Sequence, residues 1–484
     1  PEAFTPDNEF CLGETEVGGF YVAAGYCAHG IAGAGGIGKV MAEWIVGNEP
    51  PMDLWHMDIR RFGPAYKSPA FTLDRIQENY EQYYDIHYPQ EERQSCRPFN
   101  VSPVYEWHKA NGASFGEKSS WERVNFYQNH EGVETTRPLG WAGKNWSNAV
   151  QIEHEATRNH AGLFDESSFA KIEVTGAQSA EFLEFVCAND VVRRVGRTVY
   201  TQALNSKGGI ECDFTVTQIA EENFLIITGT AFAQHDSGWL KKLKREHDFN
   251  KVQIKDVTSD YAIFGIWGPK TREILQSLTN YDLSSKSFPF MHSKLIDING
   301  TDVRATRITY VGELGWELFI PVKDALPIWL KLKDAGATPC GYRAIESLRL
   351  EKGYLAWAGE INTEFNPYEA GLGFAISKTR NNFYGATALS KLEKSTRKLV
   401  CITFDDIRRV PLGSEPIKFG DQVIGRIKSG GQGYTINKAI AYAYIPIEFS
   451  EAGTELEVEF FGEWHAGKIA TTPLYDPSGS KIKA

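Results

Sequence analysis

The sequence predicts an α+β fold divided among several domains, and three observations carry that expectation. At 484 residues the chain is too long for one hydrophobic core, so two to four domains are expected. The run TRITYVGELGWELFIP at 306–321 alternates with a period of two on both sides of a glycine-bearing loop, while CGYRAIESLRLEKGY at 340–354 reads as a helix. Beyond about residue 395, short alternating runs separated by Gly and Pro read as a small antiparallel barrel or sandwich.

Taken from the N-terminus, FYVAAGY at 20–26 is a strand-like run. A glycine-rich turn follows and leads into a helix over about 37–46, which Pro50 and Pro51 stop. Gly33, Gly35 and Gly38 satisfy GxGxxG, and Asp53 lies twenty residues after the first of them. A dinucleotide site is nonetheless rejected. Its glycines belong at the end of a strand, and this strand ends near Gly25. Residues 63–125 are rich in Tyr, Arg and Glu; the interspersed acids argue for domain packing over nucleic-acid stacking.

Further on, Cys187 falls on the apolar stripe of a helix with Leu183 and Val186, so it is expected in a core. In YTQALNSKGGIECDFTVTQI, at 200–219, Gly208 and Gly209 mark a turn and Asp213 sits where the next strand starts. A short carboxylate there suits a group that steadies a positive charge or handles one proton; it equally suits a turn cap. In the 306–321 run, Thr306, Ile308 and Tyr310 form one strand, and Trp316, Leu318 and Ile320 the other. The hairpin gathers Tyr310, Glu313 and Glu317 beside an apolar face, where a carboxylate needs a donor. In the 340–354 helix, Ile345 and Leu348 share a face and Glu346 pairs with Arg349. C-terminal strands are expected over 399–404, 422–428, 439–445 and 455–460.

Composition excludes several classes. A net charge of −11 argues against a general nucleic-acid surface. No run of about 20 apolar residues appears, so no spanning helix is expected, and PEAFTPDNEF has no signal-peptide pattern. Seven scattered cysteines, never spaced as CxxC, fit a reducing compartment and argue against disulfides or a structural metal site. The sequons at Asn145 and Asn299 carry little weight.

Five segments resemble, in order, the glycine-cleavage T-protein family. They are HEATRNHAGLFDESSFAKIEVTG, LNSKGGIECD, YVGELGWE, RAIESLRLEKG and NPYEAGLGF. The chain is identified as a member of that family, with an α+β folate-binding domain and a C-terminal barrel marked by GDQVIGRIKSGG and PLYDPSG. Cys212 replaces the first acid of the family's acidic pair, a form associated with its dehydrogenase branch. The resemblance implies that Asp213 orients or deprotonates the reactive nitrogen of tetrahydrofolate, with Tyr310 hydrogen-bonding nearby. It implies that Glu317 grips the pterin N–H edge, that Leu314, Gly315 and Trp316 line the ring, and that Tyr200, Thr201 and Glu313 complete the folate set.

Residues 18–62 resemble the last segment of an amine-oxidizing flavoprotein domain, with Gly30 and Ile31 as candidate FAD contacts; its pyrophosphate-binding unit is not in this chain. Residues 63–125 resemble the linking domain of dimethylglycine and sarcosine dehydrogenases. The implied domains are 1–62, 63–125, 126–390 and 395–484. The implied chemistry is oxidative demethylation of an N-methyl amine, with its one-carbon unit passed to tetrahydrofolate as 5,10-methylenetetrahydrofolate. FAD and an electron acceptor, oxygen or an electron-transfer flavoprotein, would serve the full-length enzyme. The implied location is the cytoplasm of a bacterium or the mitochondrial matrix. The alternatives are a flavin-independent aminomethyl- or methyltransferase and a non-catalytic folate-binding regulator. No metal, membrane or nucleic-acid partner is expected.

Overall fold

A computed structural model of the chain describes residues 2–86, 91–133, 148–392 and 395–484. The Asn145 sequon lies outside them. Strands β1 (Cys11–Glu14) and β2 (Tyr21–Ala24) form an antiparallel hairpin. The helix after it spans Gly30–Gly47, not 37–46, so the predicted glycine-rich turn is helical. Glycine is a poor helix former, but Met41 and Trp44 pack with Leu12 and Leu54, and this burial overrides propensity. Gly13 leaves the space that the Trp44 ring occupies. An antiparallel hairpin followed by a helix that contains the glycines is not a βαβ unit, in keeping with the rejected dinucleotide reading.

Helix Pro69–Glu81 starts at Ser68, whose side chain accepts the Phe71 N–H. Strands β3 (Ala113–Lys118) and β4 (Trp121–Tyr127) make a second hairpin, which packs against helix Tyr342–Lys352.

The central region holds two sheets. Its strands are β5 (Gly162–Asp165), β6 (Ala170–Thr175), β7 (Thr198–Leu204), β8 (Ile210–Ala220), β9 (Asn223–Thr228), β10 (Gln253–Asp256), β11 (Tyr261–Trp267), β12 (Ser293–Ile298), β13 (Thr301–Thr306), β14 (Gly315–Pro321) and β15 (Thr338–Cys340). One sheet has the order β10-β6-β9-β8-β7, the other β12-β13-β14-β11-β5-β15. The first buries Phe182, Leu183 and Cys187 with Cys212, Phe214 and Trp239; the second buries Trp316, Leu318 and Ile320 with Phe264 and Trp329.

The hairpin predicted over 306–321 exists, but its first strand ends at Thr306, so the strand predicted through Tyr310 is a loop. Two local bonds explain the break. Thr309 Oγ1 accepts the N–H groups of Val311 and Gly312, folding the chain back on itself. Gly312 has φ +80°, which suits glycine and ends any extended run.

Strands β16 (Arg397–Phe404), β17 (Pro416–Phe419), β18 (Gln422–Gly433), β19 (Lys438–Pro446), β20 (Glu455–Phe460) and β21 (Glu463–Ala470) close a barrel in the order β16-β19-β18-β17-β20-β21. Helix Tyr342–Lys352 joins barrel to sheets: the Tyr442 hydroxyl donates to the Leu350 carbonyl at 2.9 Å. In that helix Ile345 and Leu348 are buried and Arg349 pairs with Glu346 at 2.9 Å, as expected. All seven cysteines are free thiols.

Candidate functional site

A cleft of about 1890 Å³ opens between the two sheets, the loop at 307–314 and the barrel. One wall is the β7–β8 hairpin. Gly208, at φ +83°, makes its turn, and Gly209 lies where a side chain would strike the Thr363 carbonyl. The register sets Gln202 opposite Asp213 and Tyr200 opposite Thr215. Because side chains alternate along a strand, Tyr200, Asp213 and Thr215 line the cleft. Asp213 lies within β8, three residues after its start, not at the strand's beginning.

Gln202 Nε2 donates to Asp213 at 3.1 Å, and the Tyr200 hydroxyl also bonds this carboxyl. Burial outweighs both bonds and pushes the Asp213 carboxyl up to about 6. A carboxyl poised there can give or take a proton near neutrality.

Behind this strand, the His235 ring lies between two carboxylates, with Nδ1 2.8 Å from Asp236 and Nε2 3.3 Å from Glu211. Those bonds overcome burial and push the imidazole up to about 10. Cys212, His235 and Asp236 are the one group with metal-ligand spacing among the described residues. Both ring nitrogens already donate to carboxylates, so the imidazole has no lone pair for a metal. Trp55 packs edge-on against this ring at 4.7 Å, tying the N-terminal region to the cleft wall.

The opposite wall carries Tyr310 and Glu317. The Tyr310 hydroxyl donates to the Leu355 carbonyl at 2.7 Å, and its ring stacks on Tyr354 at 6.0 Å. Burial raises the Glu317 carboxyl above its ordinary range. Beneath it lies Glu166, 2% exposed, with neither carboxyl oxygen hydrogen-bonded.

Five predicted site residues lie elsewhere. Thr201 is fully buried on the other face of β7, where its hydroxyl accepts the Asn189 N–H at 3.0 Å. Leu314 and Trp316 belong to the core of the second sheet. The alternation of β14 decides this: if Glu317 faces the cleft, Trp316 must face away. Gly315 is pressed against the Ile266 carbonyl of the neighbouring strand. Glu313 turns from the cleft to pair with Arg158 at 3.1 Å. Sequence reasoning missed Glu166, Tyr354 and Phe374, which stacks on Tyr200 at 6.1 Å. All three lie within the quoted motif segments, and their exposure to a ligand was not encoded in spacing.

Gly30 opens the first helix and Ile31 is fully exposed, without a core contact. Among the described residues no βαβ unit stands near them.

The model of the GCVT N-terminal domain matches residues 104–380, and that of the glycine cleavage T-protein C-terminal barrel domain matches 397–476. The chain belongs to the glycine-cleavage T-protein family. An FAD-dependent oxidoreductase central domain matches residues 48–102. The whole chain aligns with mitochondrial dimethylglycine dehydrogenase of Mus musculus at 34% identity, covering 56% of that protein. It aligns with 4-methylaminobutanoate oxidase (formaldehyde-forming) of Paenarthrobacter nicotinovorans at 32% identity, covering 59%. The chain thus spans little more than half the length of these curated relatives. Its fold resembles the crystal structure of glycine cleavage system aminomethyltransferase T from Bartonella henselae, with TM-score 0.67 and 28% identity, over 78% of this chain and 98% of that one. No helix among the described residues is long and apolar enough to cross a membrane.

Proposed function

We propose that this chain is the folate-dependent part of an N-methyl amine dehydrogenase of the dimethylglycine or sarcosine kind. The iminium carbon of the oxidised amine passes to tetrahydrofolate and gives 5,10-methylenetetrahydrofolate. The observation that carries this reading is Asp213: a carboxyl poised near neutrality, held by Tyr200 and Gln202, in the same cleft as Glu317.

Tetrahydrofolate supplies nucleophilic nitrogens when bound, and the residues fit its chemistry. Both Glu166 oxygens are buried without a donor, Glu317 lines the cleft as a half-buried carboxyl, and a pterin's N–H edge offers donors to such a group. Asp213 takes the proton released from a folate nitrogen and returns it to the departing amine. Tyr200 and Gln202 fix the carboxyl for that exchange. An enclosed cleft protects an iminium from hydrolysis to formaldehyde.

Gly30 and the exposed Ile31 are the residues of this chain that would meet FAD, and no pyrophosphate cradle accompanies them among the described residues. In this reading the chain carries the folate half of the reaction and amine oxidation belongs to the longer enzyme, with oxygen or an electron-transfer flavoprotein as the acceptor. The cytoplasm of a bacterium or the mitochondrial matrix would be its location.

Titration calorimetry of the purified chain with tetrahydrofolate tests the reading, and saturable binding is expected. Well-folded protein that gives no heat overturns it. A colourless preparation without amine oxidation is also expected; a flavin absorbance band would refute the placement of oxidation.

A further inference from the structure

Gly265 stands between two carboxyls. It lies directly opposite Glu317 in the β11–β14 register, so its missing side chain belongs on the face that carries Glu317. A Cβ built on Gly265 would fall 2.9 Å from Glu166 Oε2. Glu166 reaches this spot from just beyond β5, where its N–H donates to the Ile263 carbonyl at 2.9 Å. The absent side chain leaves this space to the Trp267 ring, which lies closer still to the same point, and to the Glu166 carboxyl beneath Glu317.

Among the described residues no cation pairs with either carboxyl. Asp165, beside Glu166, is taken up by His108 at 2.9 Å and by Ser102. Lys171 Nζ donates to the carbonyls of Ser167 and Phe169, each at 2.8 Å. Tyr342 faces Glu166 from the 342–352 helix, and the Arg123 guanidinium lies over the Tyr342 ring at 4.2 Å. Both oxygens of Glu166 are buried without a hydrogen-bond partner. Two carboxylates enclosed together without a counter-charge cannot both stay ionised at neutral pH.

We propose that Glu166 is a positioning residue for Glu317: the two carboxyls converge over Gly265, hold one proton between them, and so set the pH range in which Glu317 accepts N–H donors from a ligand. This rests on the folate reading above only for the identity of the ligand. Burial raises both carboxyls, and the neighbouring Glu317 and Asp165 charges raise Glu166 further. The pair therefore takes up its first proton readily, but takes up its second, and loses its remaining negative charge, at lower pH than a lone buried Glu317 would.

The test compares tetrahydrofolate dissociation constants from pH 5 to 8 for wild type, Glu166→Gln and Glu166→Leu. Both variants remove the carboxyl that holds the shared proton and keep a similar volume, and only the Gln amide can donate in its place. The weakening of binding at acid pH should move to higher pH by about one unit in Glu166→Leu, equivalent to roughly tenfold weaker relative binding on the acid limb, and by less in Glu166→Gln, whose amide can still donate to Glu317. Asp213 titrates identically in all three proteins and cannot produce the difference. An unmoved profile with wild-type folate binding intact overturns this inference and leaves the folate reading standing. Absence of folate binding by the wild type sinks the folate reading instead. The pair is then decided by infrared difference spectra at pH 7. A protonated-carboxyl band present in wild type and missing in Glu166→Gln supports the shared proton; no difference overturns it.

Discussion

Arg158 and Glu313 form an ion pair at 3.1 Å in which both side chains are buried. The guanidinium also reaches Glu351 at 3.0 Å and the Val311 carbonyl at 2.7 Å, and its plane lies 3.8 Å from the Tyr475 ring centre. One side chain thus pins the loop leading to Glu317, the helix that carries Glu351 and the C-terminal tail.

Arg158→Met leaves two buried acids without their cation, which should cost about 3–5 kcal/mol. Glu313→Gln should cost less, about 1.5–3 kcal/mol, because Arg158 keeps Glu351. Urea unfolding midpoints measure both. If Glu313→Gln instead left stability intact and abolished folate binding, Glu313 would be a ligand contact after all.

Asp213→Asn should separate stability from function. In wild type the native carboxyl, near 6, binds more protons than the unfolded one, near 3.8. Native stability therefore falls as pH rises through that window. The neutral amide escapes the penalty, so the variant should gain about 1–3 kcal/mol at pH 8 and nothing at pH 4. In a full-length enzyme, methylenetetrahydrofolate formation should fall by at least about one to two decades. Amine oxidation should persist, with more formaldehyde released. Product formation at the wild-type rate would reduce Asp213 to a turn residue.

His235 predicts a slope of the same sign in a higher window. Its folded imidazole is raised to about 10 from an ordinary 6.5. The stabilisation it provides is fully present below pH 6.5 and is lost as pH rises through about 10. Thermal melts from pH 6 to 10 should show a falling Tm in wild type and a flatter course in His235→Gln. Parallel slopes would show that the Asp236 and Glu211 contacts hold a neutral ring.

Tyr310→Phe deletes the donor to the Leu355 carbonyl and should cost about 1–2 kcal/mol of stability. Because that hydroxyl is already committed, carbon transfer should fall far less than in Asp213→Asn. A loss equal to that of Asp213→Asn would mean the hydroxyl leaves Leu355 when ligand binds.

Much of the fold was legible. The alternating runs beyond residue 395 predicted four strands of the barrel, and Glu346 and Arg349 pair as their spacing implied. β17 and β21 escaped notice because four residues, or a strand interrupted by His and Gly, carry a weak period-two signal. The first helix was placed late because glycine content speaks for a turn, while Trp44 burial against Gly13 is a contact that no local pattern contains.

By itself, the sequence determined the family, the strand periods and the carboxylates available to the cleft, because motif identity and side-chain alternation are local. Only the tertiary structure decided which of those carboxylates shares the cleft. Strand pairing put Asp213 beside Gln202 and brought Glu166 under Glu317 across Gly265; packing turned Glu313 to Arg158 and Trp316 into the core. A side chain's partner across a sheet depends on register and on empty space at a third residue, and neither is written in the spacing of any one segment.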